Sequence, residues 1–238
     1  MRLDGKRVVV IGGSSGIGLE TARLALSLGA SVTIAGRSED RLSRAAATLK
    51  NAPDRLRTVM VDMADGESIQ SLFSGESQVD HVFVPAGELR PESADLLTGD
   101  LAGMRYVFEA RLLGVAHVVR QARSLMKNGS IVLMSGLYAT RPAVGGAMAA
   151  AAVAAIDGMT RALDLAPIRV NAVAPGLINI PLCDAFGPQR EAILASALKL
   201  PVGRAGRPEE IAEAVVFLMT NGFVTGAVLP VDGGGSLV

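Results

Sequence analysis

Apolar residues fall along this chain in short runs set between longer periodic stretches. Val8-Val9-Val10-Ile11 is β-branched throughout and does not alternate, the pattern of a strand buried on both faces. Similar runs recur at Val32 to Ala35, Leu56 to Val61, Val82 to Val84, Ile131 to Met134, Val170 to Val173 and Val228-Leu229. Between them lie helix-length segments, among them Gly18 to Leu28, Asp40 to Leu49, Met104 to Met126 and Glu209 to Met219. The alternation predicts parallel strands joined by helical crossovers, with helices on both faces of one sheet. No composition break, long linker or fixed-period repeat divides the chain, so residues 1–238 read as a single domain. The stretch from Gly176 to Pro208 lacks either pattern and is the expected mobile substrate lid.

Composition narrows the setting. Half of the 238 residues are apolar and mean hydropathy is +0.39, as for a globular protein with a large core. Lys+Arg and Asp+Glu both number 23, so nothing attracts a polyanion and no nucleic-acid partner is expected. The longest nearly uncharged stretch, Ala143 to Ile156, is Ala/Gly-rich and too short to span a bilayer, so no membrane partner is expected either. The N-terminal segment lacks a secretory apolar core, and a single cysteine, Cys183, rules out an internal disulfide. A cytoplasmic protein is the expectation, with Cys183 a small packing residue. His117 reads as a packed helix residue and His81 as an exposed one before a strand. No His/Cys/Asp/Glu cluster has metal-ligand spacing, so no metal is expected.

Chemistry concentrates after the first strand, in Gly12-Gly13-Ser14-Ser15-Gly16-Ile17-Gly18. Glycines at a strand end and helix start allow a tight turn and a close backbone approach to a pyrophosphate, whose charge the helix N-terminus favours. Gly12, Ser14, Ser15, Gly16, Ile17 and Gly18 are therefore candidate cofactor residues. With the alternating elements, this loop indicates an α/β fold of Rossmann type: a doubly wound parallel sheet in three α/β/α layers. The second strand ends Ala35-Gly36-Arg37-Ser38, with no carboxylate to accept from a ribose 2′-hydroxyl. Arg37 is suited to a 2′-phosphate instead, which favours NADP(H) over NAD(H). Asp62 is placed either to receive the adenine amino group or to cap the next helix.

Over essentially its full length the sequence resembles the short-chain dehydrogenase/reductase family. The resemblance rests on Gly12, Gly16, Ile17 and Gly18, on Ala86-Gly87, and on Ile168-Arg169-Val170-Asn171-Ala172-Val173-Ala174-Pro175-Gly176. Further along come Gly206-Arg207-Pro208-Glu209-Glu210-Ile211-Ala212, Thr225-Gly226 and Val231-Asp232-Gly233-Gly234. It implies a seven-stranded parallel sheet and a nicotinamide dinucleotide held also by Ala86, Gly87, Pro175 and Gly176. It further implies carbonyl reduction or alcohol oxidation, and a homodimer or homotetramer built on the Ala-rich helix around Ala147 to Ala155 and the helix of Arg111.

Ordinary members carry a Ser, a Tyr-x-x-x-Lys and an Asn, in which a phenol with its pKa lowered by a nearby ammonium exchanges a proton with the substrate oxygen. Counting from Ile156-Asp157-Gly158, the tyrosine position falls on Ala149 and the lysine position on Val153. The serine position falls on Gly136, one residue after Ser135, and the asparagine position on Arg111. The usual Asn-Asn-Ala-Gly becomes Val84-Pro85-Ala86-Gly87, and the threonine expected to bond the carboxamide becomes Ile180, beside Asn179. Alanine and valine do not titrate. Tyr138, Ser135 and Arg111 are the candidate substitutes, Tyr138 with Arg141 three residues on; the alternative is a loop-anchoring Tyr138 and a salt-bridging Arg111. Three functions stay open: an NADP(H) oxidoreductase with displaced groups, a non-catalytic dinucleotide sensor or silent oligomer partner, and a non-redox enzyme holding an anionic substrate.

Overall fold

A computed structural model describes residues 2–49, 53–85 and 94–238 of the chain. Seven strands, β1 (Arg7–Ile11), β2 (Ser31–Gly36), β3 (Leu56–Met60), β4 (His81–Val84), β5 (Gly129–Met134), β6 (Ile168–Pro175) and β7 (Val228–Val231), form one sheet in the order β3-β2-β1-β4-β5-β6-β7. Every neighbouring pair is parallel. The β-branched runs are strands because both faces are covered. Val8, Val10, Val32, Ile34, Phe83 and Val132 enter one core with α1 (Gly16–Ser27), α2 (Glu39–Thr48) and α8 (Pro208–Thr220). Val9, Ile11, Val82, Val84, Ile131 and Leu133 enter the other with α3 (Gly66–Ser74), α5 (Gly114–Leu125) and α6 (Ala147–Ala162). Successive strand residues point to opposite faces, so an unbroken apolar run fills both cores.

Three expectations need correcting. The helix expected over Met104 to Met126 is interrupted: α4 (Leu101–Phe108) passes through a π-helical turn, Glu109–Leu113, before α5 begins. The apolar period survives the extra residue, which is why the sequence pattern conceals it. The stretch 176–208 is not irregular but contains a 3-10 segment (Pro181–Gln189), α7 (Arg190–Ser196) and a second 3-10 turn (Ala197–Lys199). Its two ends meet at a parallel bridge between Ile178 and Gly206. The histidines exchange roles: His81 opens β4 and is buried, whereas His117 is exposed and lies over Gly66. His81 is enclosed because it pairs in register with Val8 on one side and Ser130 on the other.

Cys183 is buried with its thiol directed to the Ile178 carbonyl, a packing residue as expected. Among the described residues, no helix is long and apolar enough to cross a membrane.

The His81 imidazole lies 3.0 Å from the Ser130 hydroxyl, and burial pushes its pKa down to about 4, against the pull of Asp80 beside it. A base whose folded pKa lies below its unfolded value of about 6.5 is held neutral by the fold. Its contribution is whole above pH 6.5 and is lost as pH falls toward 4, at a cost of up to about 3 kcal/mol. Urea unfolding of His81→Gln should therefore lose less stability between pH 7 and 4.5 than the parent; equal losses would remove His81 as a cause.

Candidate functional site

The sheet reverses direction of winding between β1 and β4, and the crevice above that junction is where a doubly wound sheet receives a ligand. The loop after β1 is built for close approach. Gly12 has φ of 104° and Gly16 has φ of 52°, in the region that side chains disfavour. A Cβ at Gly18 would lie 2.1 Å from the Gly12 carbonyl oxygen, so the loop folds onto the first turn of α1 only with glycine there. α2, α3 and α4 are capped by the side chains of Ser38, Asp65 and Asp100, but Ser15 makes no side-chain cap bond to α1. The first turn of α1 is left with open amides, with Ser14, Ser15, Gly16 and Ile17 around them. The donor set fits a dinucleotide pyrophosphate.

Beside this loop, a Cβ at Gly36 would sit 3.5 Å from Ser14 Oγ, which brings the end of β2 against the loop. Arg37 follows, exposed, and donates to the Tyr106 hydroxyl at 2.6 Å, its guanidinium 5.9 Å from the centre of that ring. The spacing of 69 residues to Tyr106 hides this contact from the sequence. Asp62 accepts from the Ala64 amide at 2.9 Å, while the cap of α3 is Asp65; the capping alternative for Asp62 is thus set aside. Pro175 ends β6, and the Gly176 amide bonds to the Val231 carbonyl at 3.1 Å. A Cβ at Gly176 would lie 2.7 Å from Asp232 Cα, so this junction also depends on glycine. Ala86 and Gly87 lie outside the described residues.

Across the crevice the polar groups thin out. Ala149 and Val153 are buried on α6, with 8% and 5% exposure. A Cβ at Gly136 would lie 3.7 Å from the Val153 side chain. The Ser135 hydroxyl is committed elsewhere: it donates to Asp157 Oδ1 at 2.5 Å, and both residues are buried. A lone aspartate in an Ala-rich helix was the signal for this pair. Tyr138, in the 3-10 turn Leu137–Ala139, is 42% exposed and packs beside Gly146, 3.1 Å from where a Cβ there would be. No bond joins it to Arg141. Ile180 packs over Gly16, 3.5 Å from a Cβ placed there, and Asn179 accepts from Arg190 at 2.9 Å.

Arg111 differs from all of these. It lies in the π turn, which packs against α6, and is only 8% exposed. It makes no hydrogen bond or ion pair among the described residues. Burial pushes its pKa down to about 10, which leaves it charged at neutral pH. Its height follows from helix rise. The Leu125 carbonyl, near the end of α5, accepts from Val79 just before β4 begins. Fourteen helical residues back, about 21 Å, is close to the roughly 20 Å length of the neighbouring strand β5. Arg111 therefore stands level with the carboxyl edge of the sheet. Among the described residues, no group of three or more His, Cys, Asp or Glu is placed to hold a metal.

Residues 11–236 match the family model described as Enoyl-(Acyl carrier protein) reductase. The chain is a short-chain dehydrogenase/reductase. It is 36% identical to a cis-4-hydroxycyclohexanecarboxylate dehydrogenase of Sinomonas cyclohexanicum, over 95% of this chain and 94% of the relative. It is 32% identical to the short-chain dehydrogenase/reductase malC of Malbranchea aurantiaca, over 98% and 95% of the two chains. Among solved structures, levodione reductase superposes with a TM-score of 0.92 at 27% identity over the whole of both chains. Members of this family bind a nicotinamide dinucleotide, and the glycine contacts and open amides of the first loop have the donor chemistry that such a group requires.

The Ser135–Asp157 contact makes a structural prediction. Ser135→Ala leaves a buried carboxylate short of a donor and should cost about 1–3 kcal/mol in chemical denaturation, with dinucleotide affinity unchanged. Weakened affinity at unchanged stability would mean that the hydroxyl faces the ligand.

Proposed function

We propose that this short-chain dehydrogenase/reductase is an NADP(H)-dependent reductase whose cleft holds its acceptor without offering it a phenolic proton. The observation that carries the reading is the contrast across the crevice: a complete glycine cradle on one side, and apolar Ala149 and Val153 on the other. Gly12, Ser14, Ser15, Gly16, Ile17 and Gly18 would hold the pyrophosphate, Arg37 the 2′-phosphate and Asp62 the adenine amino group. Ala86, Gly87, Pro175 and Gly176 would flank the nicotinamide half. When bound, NADPH supplies the hydride. Ala149, Val153 and Gly136 shape the pocket and keep water from its α6 wall, but hold no proton. Ser135 stays with Asp157, and Tyr138 anchors the loop by packing on Gly146. Arg111, charged at neutral pH, binds and orients the acceptor and is a poor acid.

Loss of a positioned acid forgoes a factor of about 10²–10⁴. The acceptor must then be activated in itself, as a conjugated or electron-poor carbonyl is, and draw its proton from solvent. The relatives are named as dehydrogenases and reductases, one of them a cis-4-hydroxycyclohexanecarboxylate dehydrogenase, which fits the reductase reading. A silent nucleotide-binding partner is the second reading, favoured by the committed Ser135 hydroxyl. Absence of turnover at saturating NADPH would select it.

The test is a fluorescence titration with NADPH and NADH, followed by NADPH consumption on a panel of ketones and enones. NADPH should bind tighter than NADH, and Arg37→Ala should weaken NADPH by roughly 10- to 100-fold with little effect on NADH, the worth of a charge-assisted contact. Turnover should be slow and level between pH 6 and 9, since Ala149 and Val153 stand where the proton-exchanging pair would act and neither titrates. Equal affinity for both cofactors would overturn the NADP(H) assignment, and a rate limb in that range would reveal a proton donor.

The chain is also proposed to form a homodimer or homotetramer through α4, α5 and α6, supported by the exposed apolar Leu101 at the start of α4 and Leu113 at the end of the π turn, 75% and 57% exposed. Light scattering on the eluted protein should give two or four chains per particle; a monomer at micromolar concentration would remove the assembly.

A further inference from the structure

Arg111 and Arg169 pose the same problem and meet it differently. Arg169 is half-buried, and its guanidinium donates to the carbonyls of Leu218, Val224 and Met219 at 2.9, 2.8 and 2.7 Å. Arg111 is more deeply buried and has no acceptor among the described residues. Among the described residues, its five N–H donors and its charge, buried away from water, meet no partner. An isolated buried charge is so unfavourable that such groups either neutralise or find a counter-charge. Arg111 does not neutralise: even with burial lowering it, the group stays protonated at pH 7.

Its place narrows what could serve. The π turn sets Arg111 at the carboxyl edge of the sheet and packs against α6, where Ala149 and Val153 offer no acceptor and the buried Asp157 accepts from Ser135. The glycine loop, where the dinucleotide phosphates would be held, follows β1, across the sheet junction from α6. The ribose and carboxamide of a nicotinamide nucleotide are neutral and leave the charge uncompensated. No described residue supplies the counter-charge, which makes an anion on the substrate the candidate. A planar guanidinium fork matches a planar two-oxygen anion best.

We infer that the substrate of this cleft carries a carboxylate, received in the crevice by the guanidinium of Arg111, which has no partner among the described residues. The inference rests on the crevice being the substrate site of the proposed reductase, and gives that reductase a substrate class: small carbonyl compounds bearing a carboxylate away from the reacting carbon.

Binding of cyclohexanecarboxylate and cyclohexanecarboxamide, measured by calorimetry on the protein with and without saturating NADPH, tests this. The carboxylate should bind at least about tenfold tighter than the amide, as expected for a desolvated charge pair. Arg111→Met should abolish that preference, and Arg111→Lys should restore part of it. Arg111→Met should also raise the melting temperature of the free protein, because an apolar side chain of similar volume replaces an uncompensated charge. NADPH affinity should be the same in all three proteins. The inference is overturned if wild type binds both probes alike or neither, if Arg111→Met keeps the preference, or if Arg111→Met loses NADPH affinity, which would assign the cation to the cofactor. Failure of wild type to bind NADPH would overturn the reductase reading instead, and the probe preference without NADPH would still decide the anion site.

Discussion

Because every strand of the sheet runs the same way, every strand must end on the same edge. Each return to the start of the next strand needs a helical crossover, and those helices cover both faces. The consequence is that loops after β1, β5 and β6 come together although they lie far apart in the chain. The glycine loop, the π turn of Arg111, the Tyr138 turn and the helical stretch after Pro175 all stand on that edge. The opposite edge is closed by structural pairs such as His81 with Ser130 and Lys6 with Asp80.

Within that edge the two halves of the crevice differ in how their polar groups are satisfied. On the β1–β2 side the amides of α1 are left open while neighbouring helices are capped by their own side chains. On the β5–α6 side the polar groups are turned inward, as Ser135 is toward Asp157, or replaced by methyl groups. A site of this kind binds by backbone and shape on one side and excludes water on the other. Arg111 is the exception on that apolar side, and its helix departs from α geometry at the residue concerned, as helices often do where a side chain has a task.

Much of the fold is legible in the sequence because unbroken β-branched runs such as Val8 to Ile11 have few other uses, and because a glycine loop between such a run and a helix is a backbone requirement. The loss of ordinary proton chemistry is legible too, since Ala149 and Val153 cannot titrate in any environment. What is not legible depends on contacts distant in sequence. His81 sits before an apolar run and reads as exposed, but two neighbouring strands enclose it. Ser135 reads as a free hydroxyl until the fold brings Asp157 beside it. The π turn adds one residue to a helix without disturbing the apolar face, so residue patterns carry no trace of it. That Arg111 meets no acceptor among the described residues is invisible for the same reason: a sequence does not show which acceptors stay out of reach.

The clasp made by Arg169 has a bearing on how the chain tolerates change. One side chain from β6 closes the carbonyl end of α8 and also holds Val224 in the connection to β7. Asn171, two residues along the same strand, donates to that same Val224 carbonyl and accepts from Ala227. The connection from Thr220 to Ala227 is therefore stitched to the interior rather than hung between two elements. Lengthening it, as surface loops commonly permit, would here unfasten a helix end and the outermost strand together.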